Sequence, residues 1–201
     1  ILRKVGTPGT ARVHADSIQS IYKEMVEVMD EGIGRIFNAL KENGLDKNTI
    51  VIFCSDNGAA RYGSNGILKG FKASVYEGGH RVPAIAWYPE KFEAGTTSNQ
   101  AVLTMDILPT FLDFIGEKPS GENVDGISVK NVLLKNEKLP ERDLFWSFGN
   151  KHAIRSEGWK LVIIDSEGGS SMELFNIALD VSEKNNLAEQ NPELVQKLEK
   201  K

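Results

Sequence analysis

The run Thr49-Ile-Val-Ile-Phe-Cys-Ser55 constrains the fold more than any other stretch of the chain. It is short, continuously apolar and rich in β-branched residues, which is the pattern of a strand covered on both faces. Ahead of it, Ile18, Ile21, Tyr22, Met25, Val26, Met29, Ile33, Ile36, Phe37 and Leu40 recur at steps of three and four. That stripe predicts a long amphipathic helix, with Asp16 or Ser17 as its cap and Gly44 just past its end. Gly32 and Gly34 lie inside the stripe, and each lowers helix propensity by about 1 kcal/mol, so close packing is expected there. Helix, short link, buried strand and polar turn make half of an α/β unit. A second apolar strand is predicted over Val82 to Trp87. A helix follows over Asp106 to Ile115, fraying near Pro109 and ended by Gly116.

Beyond about Pro119 the texture changes. Leu144-Phe-Trp146, Ala153-Ile-Arg155, Trp159-Lys-Leu-Val-Ile-Ile164 and Met172-Glu-Leu-Phe175 are short runs separated by turn residues, which predicts an antiparallel meander. Trp146, Trp159 and Phe175 are spaced like its core residues. A last amphipathic helix starts near Pro192 and carries Leu194, Val195 and Leu198 inward. The lysines at its end, Lys197, Lys200 and Lys201, read as a solvated terminus favoured by the helix dipole. The division expected is an α/β segment over 1–118 and a small antiparallel α+β subdomain over 119–201.

Composition narrows the function. Hydrophobic residues at 40% and charged residues at 26% are globular values. A net charge of −4 and a pI near 5.5 argue against a chain built to grip nucleic acid. A single cysteine, Cys54, excludes an internal disulfide and a cysteine-based zinc site, and its apolar surroundings read as a buried, inert thiol. No apolar run reaches the length of a membrane span.

Two clusters can carry chemistry. Ser55-Asp56-Asn57-Gly58 follows the apolar strand, at the carboxyl end where open α/β sheets bind ligands. A carboxylate beside an amide oxygen suits a hard cation such as calcium or magnesium, and the same Asn-Gly dipeptide also serves as a plain turn. In Leu68-Lys-Gly-Phe-Lys-Ala-Ser-Val-Tyr-Glu-Gly-Gly-His-Arg-Val-Pro83, the cations Lys69, Lys72 and Arg81 flank a glycine-rich turn. They suit an anionic group, or they are solvated loop charges. His14, His80 and His152 are too far apart in sequence to pair at zinc-ligand spacing.

Taken together, S-D-N-G after an apolar strand and K-x-x-x-Y-E-G-G-x-R-V-P closely resemble the sulfatase family of the alkaline-phosphatase-like superfamily. The helix Met25–Arg35, Thr104-Met-Asp-Ile-Leu-Pro-Thr110, Asp125-Gly-Ile-Ser128, Ala153–Leu161, Glu173-Leu-Phe-Asn176 and Asn186-Leu-Ala188 resemble that family in the same order. The resemblance implies that Asp56 and Asn57 are calcium ligands. It implies that Lys72, four residues before Tyr76, is a catalytic, substrate-binding lysine on a sulfate oxygen. Lys69 does not match that position, and His80 stands where the family commonly has an aliphatic residue.

The family's nucleophile is a formylglycine made from the first residue of C/S-x-P-x-R. No such motif occurs here, nor do the family's amino-terminal paired aspartates. The expectation is therefore the carboxy-terminal portion of a sulfatase, inactive alone. Its parent would hydrolyse a sulfated small molecule or carbohydrate to an alcohol and inorganic sulfate. The alternatives are a phosphoryl- or phosphonate-ester hydrolase of the same superfamily, or a non-catalytic calcium-binding scaffold. The resemblance implies a periplasmic, secreted or lysosomal compartment.

Overall fold

The computed structural model describes residues 15–60, 62–120 and 124–201, so His14 lies outside the described residues. Helix α1 runs from Ala15 to Glu42, strand β1 from Val51 to Cys54, helix α2 from Glu77 to His80 and strand β2 from Ala84 to Trp87. A 3-10 turn at Thr104–Asp106 leads into α3 (Ile107–Phe114), and α4 (Lys130–Lys135) follows. Strands β3 (Leu144–Phe148), β4 (Lys151–Ser156), β5 (Trp159–Ile164) and β6 (Ser171–Asn176) precede helix α5 (Pro192–Glu199). The chain divides into two compact units: 1–42 with 54–84 and 142–201, and 43–53 with 85–141. This division interleaves the chain, whereas the change of sequence texture falls near residue 119.

In the first unit the expected meander is present as a four-stranded antiparallel sheet, ordered β3-β4-β5-β6. Its hairpin turns explain the register. Ser156 pairs with Trp159 across Glu157-Gly158, both at positive φ, as a tight hairpin loop requires. Alternation then sends successive residues to opposite faces. Ile154, Leu161 and Leu174 form a row across three strands. That row packs with Leu194, Val195 and Leu198 of α5, so the last helix buries the face its apolar spacing predicts. On the other face Ala153, Val162 and Phe175 pack with Val75, Tyr76 and Trp146. The outer edge of β6 is covered in turn: Leu174 N–H donates to Asn186 Oδ1 (3.0 Å), and Leu187 N–H donates to the Leu174 carbonyl (2.8 Å).

Helix α1 has the predicted extent, and Gly44 sits past its end at φ 65°. Ala15 is already helical, so Asp16 and Ser17 lie inside the helix rather than capping it. The apolar stripe is largely open, with Val26 at 44% and Ile36 at 58% exposure. A Cβ on Gly34 would meet nothing within 4 Å, so the packing expected at these glycines is not made by the described residues.

The second unit differs from expectation in the same direction. Among the described residues strands β1 and β2 form a two-stranded sheet, and Phe53 is 39% exposed. A strand in so small a sheet has no layers over both faces, which is why the continuous apolar run is half-buried here. Helix α3 does not fray at Pro109, because the proline occupies the first turn, where its missing N–H leaves no bond unmade. The fully buried Asp106 carboxylate accepts from Leu103 N–H (2.8 Å) and Ile127 N–H (3.0 Å). Thr110 Oγ1 accepts from Val129 N–H (2.9 Å). These bonds explain why Thr104–Thr110 and Asp125–Ser128 occur together.

Candidate functional site

Strand β1 ends at Cys54, a half-buried free thiol, and the chain turns through Ser55, Asp56 and Asn57. Ser55 Oγ donates to the Asn57 carbonyl at 2.8 Å, which closes the turn locally. The Asp56 side chain is exposed and accepts no hydrogen bond among the described residues, while Asn57 is half-buried. Beyond it the backbone runs against itself. Gly58 N–H donates to the Gly79 carbonyl (2.8 Å), and Gly78 N–H donates to the Lys69 carbonyl (2.7 Å). A Cβ on Gly58 would lie 1.8 Å from the Gly78 oxygen, and one on Gly79 would lie 1.9 Å from the Ser74 oxygen. Only glycine permits so close an approach of main chain to main chain.

The same seam carries Lys72. Its N–H donates to the Ala59 carbonyl at 2.9 Å, so its backbone is tied to the turn that bears Asp56 and Asn57. The next residue, Ala73, holds a left-handed conformation at φ 70°, an uncommon one for a residue with a Cβ. The Lys72 side chain is exposed. A cavity of about 490 Å³ opens beside this seam, lined among others by Tyr22, Asn57, Ser64, Asn65, Leu68 and Arg81. Asn65 shapes its wall, since Oδ1 accepts from Ala59 N–H (2.7 Å) and Nδ2 donates to the Gly70 carbonyl (2.9 Å). Asn57 and Arg81 therefore share a wall, and Lys72 belongs to the same backbone seam.

Beneath this surface lies a charge cluster that sequence reasoning missed. Lys160, on β5, is fully buried, and its Nζ lies 2.9 Å from Glu77 Oε1 and 2.9 Å from Glu183 Oε1. The Glu183 contact is an ion pair without an aligned hydrogen bond. Its other oxygen, Oε2, accepts from Glu77 N–H at 2.7 Å. Glu77 Oε2 accepts from Arg81 Nη1 at 3.2 Å, so one carboxylate bridges the buried ammonium and the cavity-lining guanidinium. Burial pushes the Glu77 carboxyl up, but the charge and hydrogen bond of Lys160, with His80 and Arg155 beyond, outweigh it and hold it low. Burial pushes Glu183 up, and there Lys160 does not fully compensate.

His80 completes the cluster. Its ring stacks on Trp146 with centroids 4.2 Å apart, and Nε2 lies 3.2 Å from the Val75 carbonyl and 3.1 Å from Lys160 Nζ. That nitrogen can donate to the first or accept from the second. Burial, then the Lys160 charge, lower its pKa to about 4, so it is neutral at ordinary pH.

Lys69 is committed elsewhere: Nζ donates to Glu173 Oε2 (2.9 Å) and lies 3.9 Å over the Tyr76 ring. Tyr76 Oη donates to the same Glu173 oxygen (2.8 Å), and burial followed by that carboxylate raises its pKa. The traceable sequence signal was Lys160 itself, a lone cation in the apolar run Trp159–Ile164. His152 pairs instead with Asp165 at 3.5 Å, away from this cluster in the sequence and on β4.

Comparisons with known proteins identify the family of the chain. The sulfatase family model matches residues 7–117, and a model described as N-sulphoglucosamine sulphohydrolase, C-terminal, matches residues 70–201. N-acetylgalactosamine-6-sulfatase of Mus musculus is 38% identical over 141 residues, covering 67% of this chain and 27% of that protein. A sulfatase of Formosa agariphila is 32% identical over 200 residues, covering 87% of this chain and 36% of that protein. The chain thus spans about a quarter to a third of the length of these curated relatives. Among solved structures, Ps i-CgsB in complex with k-i-k-neocarrahexaose superposes with a TM-score of 0.78 at 29% identity, over 96% of this chain and 46% of that one. A structure holding its substrate D-glucosamine-2-N,6-O-disulfate gives 0.69 at 30% identity, over 87% of this chain and 38% of that one. With the sulfatase family model spanning more than half of its length and a relative at 32% identity covering 87% of it, the chain belongs to the sulfatase family of the alkaline-phosphatase-like superfamily.

Proposed function

We propose that this chain forms one side of a sulfate-ester hydrolase site, in which Asp56 and Asn57 hold a calcium ion and Lys72 faces the sulfate from the same seam. The products would be an alcohol and inorganic sulfate. The observation that carries this reading is the 2.9 Å hydrogen bond from Lys72 N–H to the Ala59 carbonyl, because it keeps the cation-bearing residue on the oxygen-bearing turn. The neighbouring cavity, with Asn57 and Arg81 in its wall, gives a polar substrate room beside them. A sulfated carbohydrate is the substrate class this favours, as in the relatives whose names and bound sugars are given above.

The donor set fits calcium in kind. A carboxylate and an amide carbonyl are hard oxygen ligands, and calcium takes about six to eight of them. Among the described residues no group of three or more His, Cys, Asp or Glu side chains is placed to hold a metal ion, so the remaining ligands of this reading are water, substrate or other oxygen donors. When bound, the ion would polarise the sulfate group and offset its charge. Lys72 adds a compact ammonium that stabilises charge on the sulfate oxygens as the ester bond breaks. Arg81, whose Nη1 is held by Glu77, lines the cavity and retains further donors.

The formylglycine motif is not in this sequence, so the nucleophile of this reading comes from outside these 201 residues. An exported compartment suits such an enzyme. The test uses the purified chain. Calcium should raise its melting temperature, and Asp56→Ala should abolish that rise. Inorganic sulfate should bind in the presence of calcium, with affinity falling about tenfold in Lys72→Met, the effect of losing about 1.4 kcal/mol. Hydrolysis of an aryl sulfate by the chain alone would overturn the account of the nucleophile. An unchanged sulfate affinity in Lys72→Met would overturn the role of Lys72.

A further inference from the structure

The segment Lys69–Arg81 is gripped by one face of the antiparallel sheet at several points. Lys160 on β5 takes Glu77, Glu173 on β6 takes Lys69 and Tyr76 Oη, and Trp146 on β3 stacks on His80. These three residues come from three strands, yet each points to the side where Val75 packs against Ala153, Val162 and Phe175. Lys160 differs from the others in having no exposed surface at all. A buried ammonium is tolerated only when it is closely paired, and here its partners are a residue of the gripped segment and a second carboxylate that also accepts the segment's own Glu77 N–H. Such a group has little freedom to slide, whereas apolar contacts alone would allow small shifts of the loop over the sheet.

We propose that Lys160 is a positioning residue: by clamping Glu77 from inside the sheet, it fixes the Lys69–Arg81 segment and so sets where Lys72 stands on the backbone seam and Arg81 at the cavity. The clamp acts through the segment and does not touch the substrate. Its importance for anion binding rests on the reading of Lys72 given above, whereas its effect on the order of the segment does not.

Two variants break the same link while leaving the remaining charges balanced in different ways. Glu77→Gln keeps the Lys160–Glu183 pair. Lys160→Met combined with Glu183→Gln keeps the Glu77–Arg81 pair. Backbone amide hydrogen exchange is read on the whole 201-residue chain, together with the affinity for inorganic sulfate in calcium. Both variants are expected to speed exchange of the donor amides of Gly78, Gly79 and Arg81 at least tenfold, with the amides of β4, β5 and α5 unchanged. Sulfate affinity should fall severalfold in each, although neither variant alters Lys72. Loop exchange unchanged in both variants overturns the proposal. Protection lost equally in the sheet also overturns it, since the cluster would then serve the fold as a whole. If the parent chain binds no sulfate, the reading of Lys72 fails, and the exchange measurement still decides the clamp.

Discussion

The two faces of the β3–β6 sheet are held by different physics. Toward α5, Ile154, Leu161, Leu174 and Leu198 form a buried patch with no charged member. Toward the Lys69–Arg81 segment, apolar residues are interrupted by Lys160 and Glu173, each bound to a partner on that segment. Apolar burial is non-directional and supplies stability, whereas a buried ion pair adds little net stability and specifies a partner and a distance. The sheet therefore has one face for holding itself together and one for holding something else in place.

This contrast can be broken by mutation. The largest effect is expected from Lys160→Met alone, which strands two buried carboxylates and should destabilise by about 3–5 kcal/mol, as removal of one partner of a buried pair does. Adding Glu183→Gln should recover much of that loss. Denaturant unfolding of the single and double variants checks both statements, and equal losses would mean that charge balance is irrelevant here. On the opposite face Leu174→Ala should cost about 3 kcal/mol through transfer and cavity effects, with no recovery available from a second substitution. Similar unfolding curves for Leu174→Ala at high and low salt would sharpen the distinction.

Acid provides a graded version of the test. His80 has a folded pKa of about 4 against an unfolded value near 6.5, so the unfolded chain binds the proton first as pH falls. Stability from this group is complete above about pH 6.5, declines between about 6.5 and about 4, and then levels, for a total on the order of 3 kcal/mol. The groups facing the ring are Lys160, Glu77 and Arg155, with Trp146 stacked on it. His80→Gln should flatten the slope of stability against pH over that window, and an unchanged slope would assign the acid sensitivity elsewhere. The smallest effect is expected from Tyr76→Phe, which removes the hydrogen bond to Glu173 while Lys69 still holds that carboxylate, at about 1 kcal/mol in thermal unfolding.

Much of the fold was legible because periodicity reports burial. The meander and the Pro192 helix bury the faces their patterns mark, whereas the α1 helix and the strand within Thr49–Ser55 stand where their patterns put them but stay partly open. Helix α4 was missed because Lys130–Lys135 spans too few turns to show a period. The motif residues Asp56, Asn57 and Lys72 could be named from the resemblance, and the shared backbone seam could not be seen in the sequence. The charge cluster was missed for a physical reason. Lys160 and Glu183 lie 83 and 106 positions beyond Glu77, and a glutamate looks the same in sequence whether it faces water or a buried ammonium. Lys69 was set aside for failing to match a motif, and its actual work is to bind Glu173 over the Tyr76 ring.

The glycine seam has an evolutionary corollary. Where Gly58, Gly78 and Gly79 touch carbonyl oxygens, the smallest added carbon has no space, so that line of main chain cannot drift in composition without moving the turn and the lysine together. Diversification of what the cavity accepts is thereby channelled to side chains on its rim, such as Tyr22, Ser64 and Leu68, which can change size and polarity while the seam stays still.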